Sequence, residues 1–277
     1  MKKESRLQQV GFYVAVALFV GMALLPFLWQ ISTSLKGPDD IFAMPPRWIP
    51  SRFYFENYAA VFAGRPFHRN LFNSLMVAGT TTAFSLFVAS FCAYALARLQ
   101  FRFKGLILAL VLSVSMFPAI AIVSPLFLFL KQSHLINTYA ALILPYTTFT
   151  MPLSIWTLTS FFREIPYELE EAAKVDGCTP FLAFRKVILP LAAPGLFTTA
   201  ILVFISAWNE FLFALTFTMD DGARTVPVAI AMFPGLHEIP WAEIAAASVV
   251  VTMPLVALVL VFQRRIIAGL TSGAVKG

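Results

Sequence analysis

The chain has 277 residues, of which 59% are hydrophobic and only 12% charged, with a mean hydropathy of +0.81 and a formal net charge of +6. Because soluble domains carry about 25% charged residues, so few charges cannot cover a water-facing surface, and lipid must be the main solvent. The composition therefore excludes an ordinary soluble protein. The basic residues sit in short clusters between apolar runs, which excludes a nucleic-acid-binding surface.

Six apolar stretches are long enough to cross a bilayer, which takes about 20 helical residues. The first follows Lys2 and Lys3 as in a secretory signal, but its apolar run is too long and lacks the small residues of a cleavage site. We therefore predict an all-α membrane protein with one transmembrane domain over 1–277. The predicted spans are 10–31, 70–96, 105–130, 138–161, 188–219 and 241–263.

The lysines and arginines are divided unevenly between the two ends of these spans. Thirteen lie in the termini, in 97–104 and in 162–187, and seven lie in the connections on the other side, which together make the 20 of the chain. Because positive residues accumulate on the cytoplasmic side, we predict that both termini and segment 162–187 are cytoplasmic.

Two local patterns refine the spans. Small residues at four-residue spacing in the second span predict a seam where another helix packs closely: Thr81, Ser85, Ala89, Ala93 and Ala97. Prolines interrupt the spans, and broken helices of this kind are common in transporters, although static kinks explain any one of them nearly as well. They are Pro26, Pro118, Pro125, Pro145, Pro152, Pro194 and Pro254.

Segment 162–187 is polar and unlike the other connections. Pro166 fits a first helical position, glutamates follow it where negative charge favours a helix start, and Gly177 fits a helix end. Thr179-Pro180 then starts a second, more apolar helix. The pattern predicts a helix–glycine–helix hairpin with a small flat face at Ala172 and Ala173 that a partner covers. An interfacial loop that only caps the bundle explains the composition equally well.

The spacing within this hairpin resembles the EAA motif of ABC-importer permeases, E-A-A-x3-G-x9-I-x-L-P, and departs from it only by Val187 in place of the isoleucine. The matching residues are Glu171-Ala172-Ala173, Gly177 and Val187-Ile188-Leu189-Pro190. In that family the segment is a coupling helix that docks into a groove of the nucleotide-binding subunit. The resemblance therefore implies that Glu171, Ala172, Ala173, Asp176 and Gly177 couple this chain to an ATPase.

The resemblance covers nearly the whole chain and implies the type I ABC importer permease fold. Residues 207–211 and the C-terminal 263–277 look like the maltose-type carbohydrate-uptake branch, and the tail together with 161–166 looks like trehalose permease subunits of actinobacteria. Such subunits work with a second, homologous permease, two copies of an ATPase and an extracytoplasmic sugar-binding protein. The implied function is uptake of a disaccharide such as trehalose or maltose across the bacterial cytoplasmic membrane. ATP and Mg are then bound by the ATPase, and no cofactor is bound by this chain.

The fifth predicted span contains Trp208, Asn209 and Glu210. A carboxylate facing lipid costs roughly 2–3 kcal/mol even on insertion scales, so Glu210 is expected to face the bundle. The three residues are candidates for the translocation pathway or gate, with Trp208 stacking on a sugar ring and Asn209 bonding its hydroxyls. Packing between helices is the alternative.

The predicted cytoplasmic tail, 264–277, ends in a glycine-rich run that is too flexible and too polar to continue the sixth span. This run resembles the Gly-Leu-Thr-x-Gly-x-Val-Lys-Gly end of maltose-type subunits, which inserts between the two ATPase subunits. The residues expected to contact the ATPase are Thr271, Ser272, Gly273 and Lys276. A frayed terminus is the alternative.

No lysine in the chain follows a glycine, so the G-K of a phosphate-binding loop is absent and the chain is not expected to be an enzyme by itself. No catalytic or metal-binding residue is predicted. The alternative function is an ion-coupled secondary transporter, which usually carries ionisable residues near the middle of the membrane. Glu210 is the one candidate for that role, no inverted repeat is evident, and the hairpin at 162–187 would have no purpose.

Overall fold

The computed structural model describes residues 6–235 and 239–272, with side chains for 9–235 and 239–263, and this part of the chain is helical without strands. The helices are α1 (Arg6–Ser34), α2 (Pro38–Ile41), α3 (Glu56–Ala63), α4 (Phe67–Arg98), α5 (Lys104–Val114), α6 (Ala119–Gln132), α7 (Tyr139–Glu164), α8 (Tyr167–Val175), α9 (Pro180–Ala183), α10 (Leu189–Leu191), α11 (Ala193–Trp208), α12 (Leu212–Phe217), α13 (Val226–Ala231) and α14 (Trp241–Ser272). A π-helical turn, Phe184–Ile188, joins α9 to α10.

Four of these helices are long and apolar enough to cross a membrane: Gln9–Ser34, Phe67–Arg98, Tyr139–Glu164 and Trp241–Gln263. Two helix pairs bring the number to six if each counts as one span. The pair α5 and α6 is bent by 84°, and the pair formed by Pro180–Leu191 and α11 is bent by 75°. The predicted all-α membrane fold is confirmed, but the third and fifth spans are broken rather than continuous.

A proline lies at each bend and removes or disfavours helical bonding there. Pro118 precedes α6 with an extended ψ of 123°, and it disfavours helical backbone at Phe117 before it. Pro194 lacks the N–H that would bond the carbonyl of Pro190, so the helix is interrupted at Ala192. The other span prolines lie inside helices without such a break: Pro26, Pro125, Pro145, Pro152 and Pro254.

Two further span boundaries are corrected by the structure. The fifth span does not run to residue 219, because α11 ends at Trp208 and α12 begins anew at Leu212. The backbone of α14 stays helical to Ser272, so the expectation that the glycine-rich run from residue 268 cannot continue the helix is wrong for 268–272. A single interior glycine, Gly269, costs only about 1 kcal/mol and does not stop a helix of this length. Residues 273–277 lie outside the described part of the chain.

The chain divides into two compact units, 1–67 with 230–253 and 68–229 with 254–277. In the first unit, none of the most apolar stretch of α1 is buried. Asp40 is buried and accepts hydrogen bonds from the Ser51 backbone (2.7 Å) and from Arg47 (2.6 Å). Arg65 forms an ion pair with Glu243 (3.0 Å). These polar contacts add to a small apolar cluster in this unit, in which the rings of Phe62 and Phe233 pack on Phe67.

The second unit has an apolar core between α4, α7 and the segment after α9. The stripe of small residues that was predicted in the second span, from Thr81 to Ala97, is buried along its whole length. Ser85 shares a hydrogen bond of 3.0 Å with Thr150 of α7, and Ala89, Ala93 and Ala97 belong to the same cluster as Leu158 of α7. The prediction of a packing seam is confirmed.

Candidate functional site

The hairpin at 162–187 forms as the turn residues predict, with α8 and α9 as its two helices. Pro166 is the N-cap of α8, one position earlier than expected. Gly177 has φ of +87°, its N–H donates to the carbonyl of Lys174 (3.0 Å), and the N–H of Cys178 donates to the carbonyl of Ala173 (2.9 Å). This pair of bonds is a Schellman motif, which ends a helix at a residue in the left-handed region. Thr179 then caps α9 by accepting from the N–H of Leu182 (3.3 Å).

The predicted ATPase-coupling residues point in two directions. Glu171, Ala172, Asp176 and Gly177 are exposed. Ala173 is only 9% exposed, so the prediction of a flat face shared by both alanines is wrong. Adjacent helical residues are about 100° apart around the axis, because a turn takes 3.6 residues. The outward surface of α8 is therefore built from Glu171 and Ala172, together with Val175, which is 87% exposed.

The inward face of α8 carries a buried carboxylate that sequence reasoning did not single out. Glu170 is 4% exposed and accepts hydrogen bonds from the hydroxyl of Tyr94 (2.8 Å) and from Lys174 (2.9 Å). The Arg98 guanidinium, itself buried, lies with its Nε 3.7 Å from Glu170 Oε2. Tyr94 and Arg98 belong to α4, so these contacts hold α8 against the end of α4.

The charges around Glu170 set its protonation. Burial by itself would raise the pKa of the Glu170 carboxyl. The hydrogen bonds from Lys174 and Tyr94, with the positive charges of Lys174 and Arg98, outweigh burial and lower that pKa below its ordinary value. Glu170 is therefore ionised at neutral pH.

This shift has a measurable consequence. A lowered pKa in the folded state contributes stability that is complete above the ordinary glutamate pKa of about 4.3 and is lost as pH falls through the folded pKa. We expect the melting temperature of the purified protein to exceed that of Glu170→Gln at pH 7, and the difference to shrink as pH falls below about 4. Melting curves of both proteins across this range check the prediction. A difference that is independent of pH would contradict it.

The second helix of the hairpin is anchored by an aromatic contact. Phe184 is buried, and its ring lies 4.8 Å from that of Tyr94 and 5.3 Å from that of Phe91, centroid to centroid. It begins the π-helical turn, a feature that often marks functional sites in helical proteins. Tyr94 therefore contacts both halves of the hairpin, with its hydroxyl on α8 and its ring on Phe184.

The three residues singled out in the fifth span occupy different environments. Trp208 is 2% exposed and stacks on Phe204 at 5.6 Å, so its ring is used in packing. Asn209 is exposed, and its side chain donates to the carbonyl of Ile205 (3.0 Å). The Glu210 carboxylate accepts from the backbone N–H groups of Phe213 (2.9 Å) and Ala214 (3.2 Å). Glu210, which precedes the N-cap residue Phe211, thus satisfies two backbone N–H groups in the first turn of α12.

Of these three residues, only Glu210 lines a cavity of about 300 Å³ within the second unit. The rest of its wall is mostly apolar, with aliphatic and aromatic side chains and a few hydroxyl groups: Ala119, Tyr146, Phe149, Thr150, Leu153, Ser206, Ala207 and Phe213. The Tyr146 hydroxyl is buried in this wall and interacts with the Glu210 carboxylate. Rings with nearby hydroxyl and carboxylate groups suit a polar, hydroxylated ligand.

Membrane-length helices, a largely apolar cavity with a few polar groups within the second unit, and an exposed helical hairpin together suit a membrane transport component. The chain belongs to the family of binding-protein-dependent transport system inner membrane components, whose model matches residues 71–271. It is a multi-pass membrane protein of that family. The predicted kinship with ABC-importer permeases is thereby confirmed, and an ion-coupled secondary transporter is not favoured.

Named relatives match almost the full length. The chain is 51% identical over 262 residues to the trehalose transport system permease protein SugB of Mycobacterium tuberculosis, covering 94% of this chain and 95% of SugB. It is 44% identical over 278 residues to the trehalose/maltose transport system permease protein MalG of Thermococcus litoralis, covering 99% of each. It is 42% identical to the sulfoquinovosyl glycerol transport system permease protein SmoH of Agrobacterium fabrum, covering 96% of this chain and 93% of SmoH.

Among solved structures, the chain is similar to a chain of a bacterial ABC transporter that imports the acidic polysaccharide alginate. The TM-score is 0.78 at 20% identity, covering 95% of this chain and 99% of that one. At this identity the similarity concerns the fold, and it confirms the predicted type I importer architecture.

Sequence reasoning missed Tyr94, Arg98 and Glu170. One local signal was present, because Glu170 and Lys174 are four residues apart and such pairs face each other on a helix. No local spacing indicates the contact between Glu170 and α4, because Arg98 and Glu170 are 72 positions apart in the sequence.

Proposed function

We propose that this chain is the membrane-spanning subunit of an ATP-driven importer for a disaccharide of the trehalose or maltose kind, delivered by an extracytoplasmic binding protein. The supporting observation is the full-length similarity to permeases named for trehalose and for trehalose/maltose, at 51% and 44% identity. A second, homologous permease and two ATPase subunits complete the transporter. The ATPase subunits bind ATP and Mg, while this chain holds no nucleotide.

The test is reconstitution of the complete complex in vesicles with ATP inside. Uptake of labelled trehalose or maltose is expected to require ATP and the binding protein, and to survive collapse of ion gradients by ionophores. Labelled sulfoquinovosyl glycerol serves as the comparison substrate, because a relative at 42% identity is named for it. Uptake of that compound alone, or uptake abolished by ionophores, would overturn the proposal.

We propose that α8 is the coupling helix and that its outward face docks on the ATPase. That face presents carboxylates beside an apolar tip, since Glu171 and Asp176 are exposed and Val175 is 87% exposed. A complementary groove would have an apolar floor and basic edges. Gly177 supports this docking face because it ends α8 sharply, just beyond Asp176. This assignment places the hairpin and both termini in the cytoplasm, as the distribution of positive residues predicts.

The proposed ATPase-contacting tail extends this surface. The backbone of α14 is helical through Thr271 and Ser272. The side chains of those two residues, and all of Gly273 and Lys276, lie outside the described part of the chain. Their contact with the ATPase stays a prediction from resemblance.

We propose that Glu210 and the cavity beside it line the translocation pathway. Trp208 supports the cavity wall by packing, and Asn209 lies next to it on the exposed side. Replacing Glu210 with glutamine is expected to lower transport at least about fivefold with little change in abundance. Glutamine keeps one acceptor oxygen for the N–H groups at the start of α12, where the complete loss of such a bond typically costs about 1 kcal/mol, but it removes the charge at the cavity.

The comparison variant is Asn209→Ala, which is expected to lower transport less, because the Asn209 side chain bonds only its own helix. Uptake rates normalised to the amount of subunit in the membrane provide the measurement. If Glu210→Gln lowers abundance and transport equally, Glu210 serves packing and not the pathway.

A further inference from the structure

The contact between α4 and α8 is unusual because it is charged, buried and incompletely bonded. Arg98 is 6% exposed and Glu170 is 4% exposed, yet Arg98 Nε and Glu170 Oε2 are 3.7 Å apart, too far for a hydrogen bond. Arg98 Nε and Nη1 and Glu170 Oε2 have no hydrogen-bond partner among the described residues. Replacing both members of a buried ion pair with apolar residues of similar volume is often neutral or stabilising, although removing one member alone is destabilising. Stability alone therefore does not explain this pair.

The same arginine connects three elements. Its Nη2 donates to the carbonyl of Ile165, which follows α7, at 2.7 Å. Its guanidinium also lies over the ring of Tyr167, the first residue of α8, at 4.4 Å. The Tyr167 hydroxyl in turn donates to the carbonyl of Ala97 (2.8 Å). The end of α4 thus contacts α8 at its first residue, Tyr167, and again near its middle, at Glu170.

The contact is also directional. Hydrogen bonds weaken steeply when their angles or lengths change, whereas burial of apolar surface is non-directional. Charge-assisted N–H···O bonds have lengths of about 2.7–2.9 Å, so the 3.7 Å pair is not closed to a hydrogen bond. Tyr94 adds a second link, because its hydroxyl bonds Glu170 and its ring contacts Phe184 on the other half of the hairpin.

We infer that Glu170, Arg98 and Tyr94 form a joint that carries displacement of α8 into α4, and so into the helices of the second unit. They are positioning residues and do not contact the ATPase. The inference rests on the proposed coupling role of α8. It adds that coupling needs this polar joint inside the chain as well as an outward docking surface.

The test compares complexes that contain Glu170→Gln or Tyr94→Phe with the unsubstituted complex. ATPase co-purification is expected to be unchanged, while the amount of sugar transported per ATP hydrolysed falls at least fivefold in Glu170→Gln and by a smaller factor in Tyr94→Phe. The matched control is Glu164→Gln, the same change at an exposed residue outside α8, which is expected to leave this ratio unchanged. Loss of ATPase binding in Glu170→Gln would overturn the inference, because docking and not transmission would have failed.

Glutamine at position 170 leaves Arg98 buried without a counter-charge, which by itself can destabilise the chain. The double variant Arg98→Met with Glu170→Met removes both charges together and keeps the contact filled. It is expected to assemble with the ATPase and to lose the same fraction of transport per ATP. If it transports like the unsubstituted protein, apolar packing suffices and the joint does not exist.

Failure of the joint is separable from failure of the proposed coupling role. Cys178 follows Gly177 and is partly exposed, and Cys92 is the one other cysteine of the chain. In a Cys92→Ser background, cross-linking of Cys178 to the ATPase subunit reports docking directly. Cross-linking with normal transport in the joint variants rejects only the joint. Absence of cross-linking in the otherwise unsubstituted complex rejects the docking of α8 itself.

Discussion

Replacing Gly177 with valine is expected to lower transport at least tenfold while the chain stays inserted in the membrane. Gly177 has φ of +87°, a region that L-residues occupy at a cost of about 1–2 kcal/mol and that β-branched side chains tolerate least. The Schellman bonds of Cys178 and Gly177 depend on this conformation. Valine therefore unwinds the end of α8 and displaces its docking surface. The measurements are uptake and sugar-stimulated ATPase activity in reconstituted complexes.

The matched control is Gly177→Asn. A Cβ atom at this position meets no atom within 4 Å, so the cost is purely conformational. Asparagine enters the left-handed region more readily than other non-glycine residues, and this variant is expected to keep most of the transport activity. Equal activity of the valine variant and the unsubstituted protein would show that the turn is not needed for coupling.

Replacing Gly195 with alanine is expected to reduce the amount of folded protein severalfold. An added Cβ would lie no more than 2.8 Å from three ring carbons of Phe161. Those carbons are near the base of the side chain, so the ring cannot swing away freely, and overpacking of this kind typically costs about 1–3 kcal/mol. The end of α7 and the start of α11 would have to separate. Abundance in the membrane and the melting temperature of the purified protein test this result.

Two further variants test whether the clash with Phe161 is what lowers the amount of folded Gly195→Ala protein. Gly79→Ala changes a glycine within α4 that has no atom within 4 Å of the added Cβ, and it is expected to be neutral or stabilising, since alanine favours a helix by up to about 1 kcal/mol. Adding Phe161→Ala to Gly195→Ala removes the obstructing ring and is expected to restore abundance relative to Gly195→Ala. A melting temperature for Gly195→Ala that equals that of the unsubstituted protein would disprove the steric explanation.

The membrane class, the approximate spans and the hairpin were all predictable from the sequence. These features depend on local properties, namely composition, runs of apolar residues and turn chemistry at Gly177 and Thr179. The small stripe on α4 was equally readable, because residues four apart face the same side of a helix wherever that helix lies. The EAA spacing then connected the hairpin to a family, which the match over 71–271 confirms.

The sequence did not separate prolines that break a helix from those that do not. Pro118 and Pro194 accompany bends of 84° and 75°, whereas Pro145 and Pro152 lie inside α7. Every proline removes one backbone hydrogen bond, so the local chemistry is the same at each position. Whether the chain bends there depends on which neighbours satisfy the freed carbonyl, and those neighbours come from other parts of the chain.

At the candidate site, too, some features follow from the local sequence and others from the packing of distant helices. Turn and capping residues predicted that α8 exists, where it ends and that carboxylates line it. The outward position of Glu171, the burial of Glu170 beside Arg98 and Tyr94, and the packing of Trp208 on Phe204 became known from the packed helices. A helix start or end is encoded within a few residues of its backbone, but the partner of a buried side chain is chosen when distant helices pack together.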